Sequence, residues 1–454
     1  MRILFVRPRP APETIGLQHV MIVEPLELEI LAACLGPGDE PEIADMILER
    51  RSFESILAEA RPDVLCVTGY ITNVPGMIAC CAAAKRMHPR VATIAGGVHC
   101  EVCPADLDHP AIDYRVVRNA ATVFSPLIDH LYGRGAVPAG VLRAGETAGE
   151  LPPFDFTVPL PNRALTQRYR DQYFYIFHDR VALIKTAFGC PHSCSFCFCK
   201  AITGGAYARR PLAEVMDELE GIAEREIYIV DDDFLADAGR VTEFIAACRS
   251  RGIQKHYLIY GRADFIARHP EVMEAFKQVG LRTIIVGIES FFDEELEQYN
   301  KRITADTNRA ALAVLRRLGI DCYATVIVSP EWTPERFAEC GRILKELGVH
   351  YVNLQPLTPL PGTGMAAGGE VLLSPDDFTR WDLAHVSIRP RHMTVAQFYR
   401  QIIKLYDDIV FRPPVLWGYL RRYRPGQWWK MARGSFLVRR QYLRKIREAE
   451  DAYA

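Results

Sequence analysis

From Val181 to Pro356 the chain alternates a short apolar run with a longer amphipathic stretch six times, and this alternation constrains the fold more than any other feature. A run of that kind followed by a helical period marks strand-helix units whose strands lie parallel, because each strand needs a crossover to return to the same end of the sheet. Strands are expected at Val181–Thr186, Ile227–Val230, His256–Gly261, Thr283–Ile288, Asp321–Ser329 and Tyr351–Pro356. Between them Leu212, Val215, Met216, Leu219 and Ile222 recur at helical spacing, and Leu312, Leu315 and Leu318 do the same ahead of Gly319, where a helix would stop. Six units rather than eight predict an open, partial (β/α)6 barrel, with ligands gathered at the carboxyl ends of its strands.

The first of those strands runs directly into Gly189-Cys190-Pro191-His192-Ser193-Cys194-Ser195-Phe196-Cys197. This C-x3-C-x2-C spacing offers three thiolates to one iron-sulfur cube and leaves its fourth iron without a cysteine. An iron with an open position can bind a small molecule and pass it an electron, which a closed electron-transfer cluster cannot do. Zinc is the competing reading, but structural zinc sites close four ligands and pair such a group with a second one downstream; none follows here. Cys199 is the less favoured fourth ligand, since it would alternate outward as the chain enters a new segment.

Cys190, Cys194 and Cys197, with Phe196 before the last, resemble the signature of the radical S-adenosylmethionine (radical SAM) superfamily. The resemblance implies a 4Fe-4S cluster on these cysteines, with S-adenosylmethionine chelated at the open iron. It also implies an external low-potential electron donor of flavodoxin or ferredoxin type, and a 5'-deoxyadenosyl radical that removes a substrate hydrogen. Asp231-Asp232-Asp233 follow the second strand, where the superfamily holds the methionine amino group, and three adjacent carboxylates are costly to crowd without a cation among them. The competing reading is a solvated acidic turn capping the helix after Phe234. Arg262, after the third strand, suits the methionine carboxylate through its planar fork. Gly287-Ile288-Glu289-Ser290 resembles the ribose-contacting segment, with Glu289 as acceptor and Ser290 beside it; Phe196 completes the expected S-adenosylmethionine contacts.

Ahead of this region, residues 1–132 also alternate strands and helices, as in a Rossmann-like parallel sheet covered on both faces. Strands are expected at Ile3–Val6, Val64–Thr68 and Ala92–Ala95, and helices at Leu26–Leu35, Phe53–Ala60 and Pro75–Met87. Pro25-Leu26-Glu27-Leu28, Pro62-Asp63-Val64 and Gly96-Gly97-Val98-His99 resemble segments of the cobalamin-binding domain that precedes many radical SAM domains. That resemblance implies cobalamin contacts from Thr68, Gly69, Tyr70, Gly96, Gly97, Val98 and His99, with Tyr70 facing the lower side of the corrin. The D-x-H-x-x-G motif that supplies a histidine to cobalt elsewhere is missing. Arg118-Asn119-Ala120-Ala121 replaces a glycine- and glutamate-rich turn at another edge of the pocket.

Residues 133–180 read as an interdomain linker held extended by proline, residues 181–370 as the radical SAM core, and residues 371–454 as a mainly helical substrate region. Between Arg389 and Lys445 stand 14 Lys and Arg against two acids, interleaved with aromatics; such a surface suits an anionic membrane or substrate. The net charge of −2 excludes a globally basic nucleic-acid binder, and no nucleic-acid partner is expected. Thirteen cysteines predict a reducing, cytoplasmic compartment, with peripheral membrane contact through the basic region. The expectation is a cobalamin-dependent radical SAM enzyme that methylates an unactivated carbon of a small-molecule or lipid substrate. The alternatives are oxidative cyclisation on a tetrapyrrole, lipid or natural product, and a non-catalytic cobalamin or cluster carrier.

Overall fold

A computed structural model describes residues 1–451. Its first sheet has six strands: β1 (Arg2–Arg7), β2 (Glu40–Asp45), β3 (Val64–Thr68), β4 (Ala92–Gly96), β5 (Tyr114–Val116) and β6 (Val141–Arg143), in the order β2-β1-β3-β4-β5-β6. The first five are parallel, and β6 pairs antiparallel to β5. Side chains alternate between two apolar layers: Leu4, Val6, Leu65 and Val67 pack on one face, Ile3, Phe5, Val64 and Cys66 on the other. That two-sided burial is why β1 and β3 read as unbroken apolar runs. The edge strand β2, Glu-Pro-Glu-Ile-Ala-Asp, carries no such run, and its proline is tolerated at an edge, where a missing N–H costs little. Strand β6 comes from residues expected to be linker, so the sheet reaches past residue 132.

The second sheet holds β7 (Ala182–Ile184), β8 (Glu226–Ile229), β9 (His256–Gly261), β10 (Leu281–Glu289), β11 (Asp321–Val328) and β12 (Tyr351–Pro356), all parallel and in sequential order. This is the partial barrel that the sixfold alternation predicts. Its inner face is filled by Leu183, Tyr228, Leu258, Ile285 and Tyr323, together with Leu26 from the first domain and Tyr175 from the intervening segment. Tyr175 lies between Tyr228 and Tyr323, at ring-centroid distances of 5.2 and 6.0 Å. Beside this plug the buried Glu24 accepts from Arg163, Arg170 and the Leu183 N–H, and Arg163 reaches Glu218 at 2.6 Å. Charges taken out of water in this way are stable only while every partner is in place, so the network ties the two sheets into one arrangement.

Beyond the barrel, residues 371–394 are irregular apart from a short turn at Phe378–Arg380, so the region expected to be helical becomes so only at Val395–Val410. Thr394 and Gln397 form a capping box that starts this helix, and Phe398, Ile402, Leu405 and Ile409 seat it on the barrel's outer core. Helices Pro413–Arg422 and Pro425–Asp451 follow.

Candidate active site between the two sheets

The cysteine loop begins at Gly189, whose φ of +77° and position 2.0 Å (for an added Cβ) from the Ala206 carbonyl leave no room for a side chain. Residues 298–301 fasten the loop from outside. Ser195 N–H donates to the Tyr299 carbonyl at 3.0 Å, Asn300 Nδ2 donates to the Ser193 carbonyl at 2.7 Å, and Phe196 sets its ring on Tyr299 at 6.0 Å. All three thiols are partly buried. Burial pushes Cys190 up to about 12 and also raises Cys194, whose rise is opposed by Lys301 and Arg262. A hydrogen bond with Cys199 holds Cys197 below the usual thiol value. Arg262 Nη1 stands 3.8 Å from Cys194 Sγ. Cys199 itself donates toward Asp232 Oδ1 at 3.4 Å.

Along the barrel rim the expected contacts divide. Asp231 is buried and accepts from the Thr186 and Ala187 N–H groups at 2.6 and 3.0 Å, and Ser290 Oγ donates to Glu295 at 2.5 Å while accepting from Phe292 N–H. Both residues use these oxygens locally, Asp231 on the backbone at the end of the first barrel strand and Ser290 on Glu295 and the Phe292 N–H, as buried polar atoms require. Asp232 and Asp233 do face the site. Asp232 lies 3.7 Å from Lys185 Nζ, while Asp233 Oδ2 is buried without a hydrogen-bond donor, 3.4 Å from His192 Nε2. Cys190, His192 and Asp233 bring ligand atoms within 4.8 Å of one another.

Glu289 sits at a break in the β10-β11 register with φ +59°, a left-handed conformation that costs a non-glycine residue about 1–3 kcal/mol. The turn aims its carboxylate at Lys301 Nζ, 3.0 Å away, over Gly287, where a Cβ would come within 2.5 Å of the carboxylate and 2.7 Å of the ammonium. Arg262 is held by Asp264 at 3.1 Å and by the Lys301 carbonyl at 2.8 Å. Lys301 and Asn300 escaped the sequence reading, because the turn Asn300-Lys301-Arg302 has no periodicity and no motif to mark it.

On the first sheet the ends of β3 and β4 converge. A Cβ on Gly97, at φ +92°, would lie 2.6 Å from Thr68 Oγ1 and 2.8 Å from Gly69 N, so Thr68, Gly69, Gly96 and Gly97 form a floor of nearly bare backbone. Val98 opens the following helix. His99 turns away from this floor: it is buried, its Nε2 lies 2.8 Å from Asp106, its ring meets Phe378 edge-on, and burial lowers its pKa. With these partners the imidazole ties the helix Val98–Val102 to the turn at Pro104–Leu107.

Tyr70 projects from the floor, 59% exposed, yet burial raises its phenol pKa and Glu27, Tyr260 and Asp232 all bear on it. A ring open to solvent with groups from both sheets close enough to bear on it marks an open cleft between the two strand-end rims. Glu27, exposed near the start of the helix Leu26–Ala33, stands beside the same cleft, and crowding by the surrounding protein raises its pKa against the pull of Arg7. Burial pushes Glu101 up to about 7, only partly offset by Arg118, which donates to the Ile202 carbonyl at 3.3 Å and joins the altered turn to the cysteine-loop helix. Glu27 was in view within the Pro25-Leu26-Glu27-Leu28 segment, but nothing in its spacing separates a lining carboxylate from a solvated one.

The residues present fit the implied groups. Three thiols backed by Arg262 and Lys301 can hold a cluster of net negative charge, and the donor-free Asp233 Oδ2 can accept from an ammonium. The glycine floor admits a flat macrocycle at backbone distance.

Comparison with known proteins agrees with this geometry. Residues 184–344 match the Radical SAM superfamily and residues 14–128 the B12 binding domain. The chain is 30% identical over 433 residues to a hopanoid C-3 methylase from Methylococcus capsulatus, covering 93% of this chain and 82% of the relative. It is 23% identical to an anaerobic magnesium-protoporphyrin IX monomethyl ester cyclase from Rubrivivax gelatinosus, over 89% of this chain and 77% of that one. In fold it is similar to the radical S-adenosylmethionine methyltransferase TsrM from Kitasatospora setae, with a TM-score of 0.67, 18% identity and 99% of each chain covered.

Proposed function

This chain belongs to the cobalamin-dependent radical SAM methyltransferases, and on that premise we propose that it methylates an unactivated carbon of an apolar, polycyclic lipid. The observation that carries the reading is that the two strand-end rims face each other across one open cleft, with Tyr70 and Glu27 on one side and Asp232 and Tyr260 on the other. When bound, the cluster supplies the electron that breaks the sulfonium and the corrin supplies the methyl group.

In this reading Cys190, Cys194 and Cys197 hold the cluster. Asp232 and Asp233 receive the methionine ammonium, Arg262 its carboxylate, and Glu289, aimed by Lys301, the ribose hydroxyls. Phe196 closes the adenosyl side. Thr68, Gly69, Gly96, Gly97 and Val98 carry the corrin, with Tyr70 beneath it. Asp231 and Ser290 keep a positioning role, and His99 supports the floor from behind. The domain limits we assign follow the same logic: a cobalamin unit that includes β6, a joining segment that plugs the barrel, the radical core, and a C-terminal substrate region.

Two supports favour a lipid. A relative 30% identical over 93% of this chain is a hopanoid methylase by name. Next to the cysteine loop, Phe196 and Tyr299 continue into an apolar cluster with Ile327, Leu357, Met365 and Ile388. Electrons come from an external flavodoxin- or ferredoxin-type donor. The test is anaerobic reconstitution with reductant, S-adenosylmethionine carrying a deuterated methyl group, and a hopane-type triterpene. Labelled methylated product together with 5'-deoxyadenosine supports the reading; a product of cyclisation without label moves the chain to the cyclase branch, and absence of corrin from the reconstituted protein removes methyl transfer altogether.

A further inference from the structure

The outer side of the last helix, Pro425–Asp451, takes part in neither rim. Trp429, Arg433, Phe436, Arg440, Leu443 and Arg447 succeed one another at steps of four, three, four, three and four residues, which brings all six onto one stripe of an α-helix. All six are exposed. The opposite side is packed: Gly434 lies so close to the His19 carbonyl that a Cβ would come within 2.2 Å, and Tyr442 and Ile446 join the barrel's outer core. The stripe runs about 27 Å at 1.5 Å per residue.

The neighbouring helix extends the surface with Leu416, Trp417 and Leu420, and Arg421 rests its guanidinium over the Trp417 ring at 5.3 Å. Trp417, Trp429 and Phe436 are 58%, 65% and 63% exposed, an unusual cost for side chains of this size in water. Between Phe411 and Leu443 there are eight Lys and Arg and no Asp or Glu. Arg422, Lys430 and Arg439 are paired inward with Asp321, Asp179 and Asp407. Arg433, Arg440 and Arg447 have no carboxylate partner among the described residues, so the stripe presents three open cations between three apolar anchors.

We propose that this face lies on an anionic phospholipid bilayer. Apolar anchors enter the acyl boundary while arginine stems reach up to phosphates, and tryptophan settles at the headgroup level. Such a surface meets both kinds of side chain everywhere along the stripe, whereas a protein partner would have to match their alternation step for step. No helix among the described residues is long and apolar enough to cross a membrane, so the contact is one of lying on the surface. The inference rests on the lipid-substrate reading only for its purpose, which is to place the enzyme where an apolar substrate resides.

The test uses full-length reconstituted enzyme and sedimentation with phosphatidylcholine vesicles that contain or lack phosphatidylglycerol. Binding is expected with the anionic vesicles alone and should weaken as salt shortens the screening length. Trp429→Ser with Phe436→Ser, and separately Arg433→Ser with Arg440→Ser, should each lower partitioning about tenfold or more, with iron, corrin and 5'-deoxyadenosine formation unchanged. Failure of the unaltered enzyme to bind at low salt overturns the proposal. So does unchanged binding by both double variants, or a dimer, seen by light scattering, that the variants dissolve while vesicle binding persists. Vesicle binding without methylation of any triterpene leaves this surface standing and removes the substrate reading instead.

Discussion

The two rims that flank the site are built by opposite means. The floor on the first sheet is made by removing side chains: Gly69, Gly96 and Gly97 let backbone approach a large flat ligand, and charge enters only at the margin through Glu27 and Glu101. The barrel rim is made by adding charge: Asp232, Asp233, Arg262, Glu289 and Lys301 crowd around the cysteine loop, with Lys185, His192, Asp264 and the Glu289–Lys301 contact beside them. A macrocycle is held by shape over a wide area, whereas a small zwitterion has to be caught by matched charges; under the proposed assignment of ligands to rims, that would explain the difference in wall.

The largest effect that separates the rims is expected at the barrel side. Cys194→Ala should abolish iron incorporation and 5'-deoxyadenosine formation, down to background, while corrin content measured by its optical spectrum stays intact; loss of both together would mean that the rims do not fold independently of their ligands. Next comes Lys301→Met, which strands Glu289 in a buried site and should cost about 3–5 kcal/mol in thermal unfolding. Adding Glu289→Gln should recover most of that stability without restoring a low KM for S-adenosylmethionine, and recovery of both would reduce the pair to a structural one.

The mirror experiment on the floor is Gly97→Ala. It should cost about 1–3 kcal/mol for the left-handed backbone and lower corrin content severalfold through the collision with Thr68 and Gly69, with four irons per cluster still present by assay. The smallest effect concerns pH. Burial raises Glu101 from 4.5 to about 7, so the folded state holds its proton where the unfolded chain has released it. Stability of the apoprotein should therefore be greatest below pH 4.5 as far as this group is concerned, and should fall by about 2 kcal/mol as pH rises through about 7, after allowance for the water that reaches it. Melting temperatures across that range should show a shallower fall in Glu101→Gln, and an equal fall would place the carboxyl in open water.

Legibility followed the physics of each element. Strands β9 and β10 appear where the apolar runs place them because Leu258, Ile259, Ile284, Ile285 and Val286 are buried on both faces of the sheet, and Cys190, Cys194 and Cys197 could be picked out since they lie within one short run. Strand β2 went unread because an edge strand needs no continuous apolar run, and β6 because three residues carry no period. Asp231 and Asp232 are neighbours in one acidic run, yet one is consumed by Thr186 and Ala187 and the other faces the site; only the direction of each side chain separates them.

What the linear order of residues determined by itself was the pair of alternating sheets and the three-thiol loop, since both depend on contacts between residues close in the chain or on the burial of whole segments. What only the folded arrangement decided was the cleft: Tyr70, Glu27, Asp232 and Tyr260 come from four separate segments of the chain, and no local pattern could say that they face one another. Groups that meet through the joining of two domains are specified by how those domains pack, through the aromatic plug around Tyr175 and the ion network around Glu24, and that packing is a property of the whole chain.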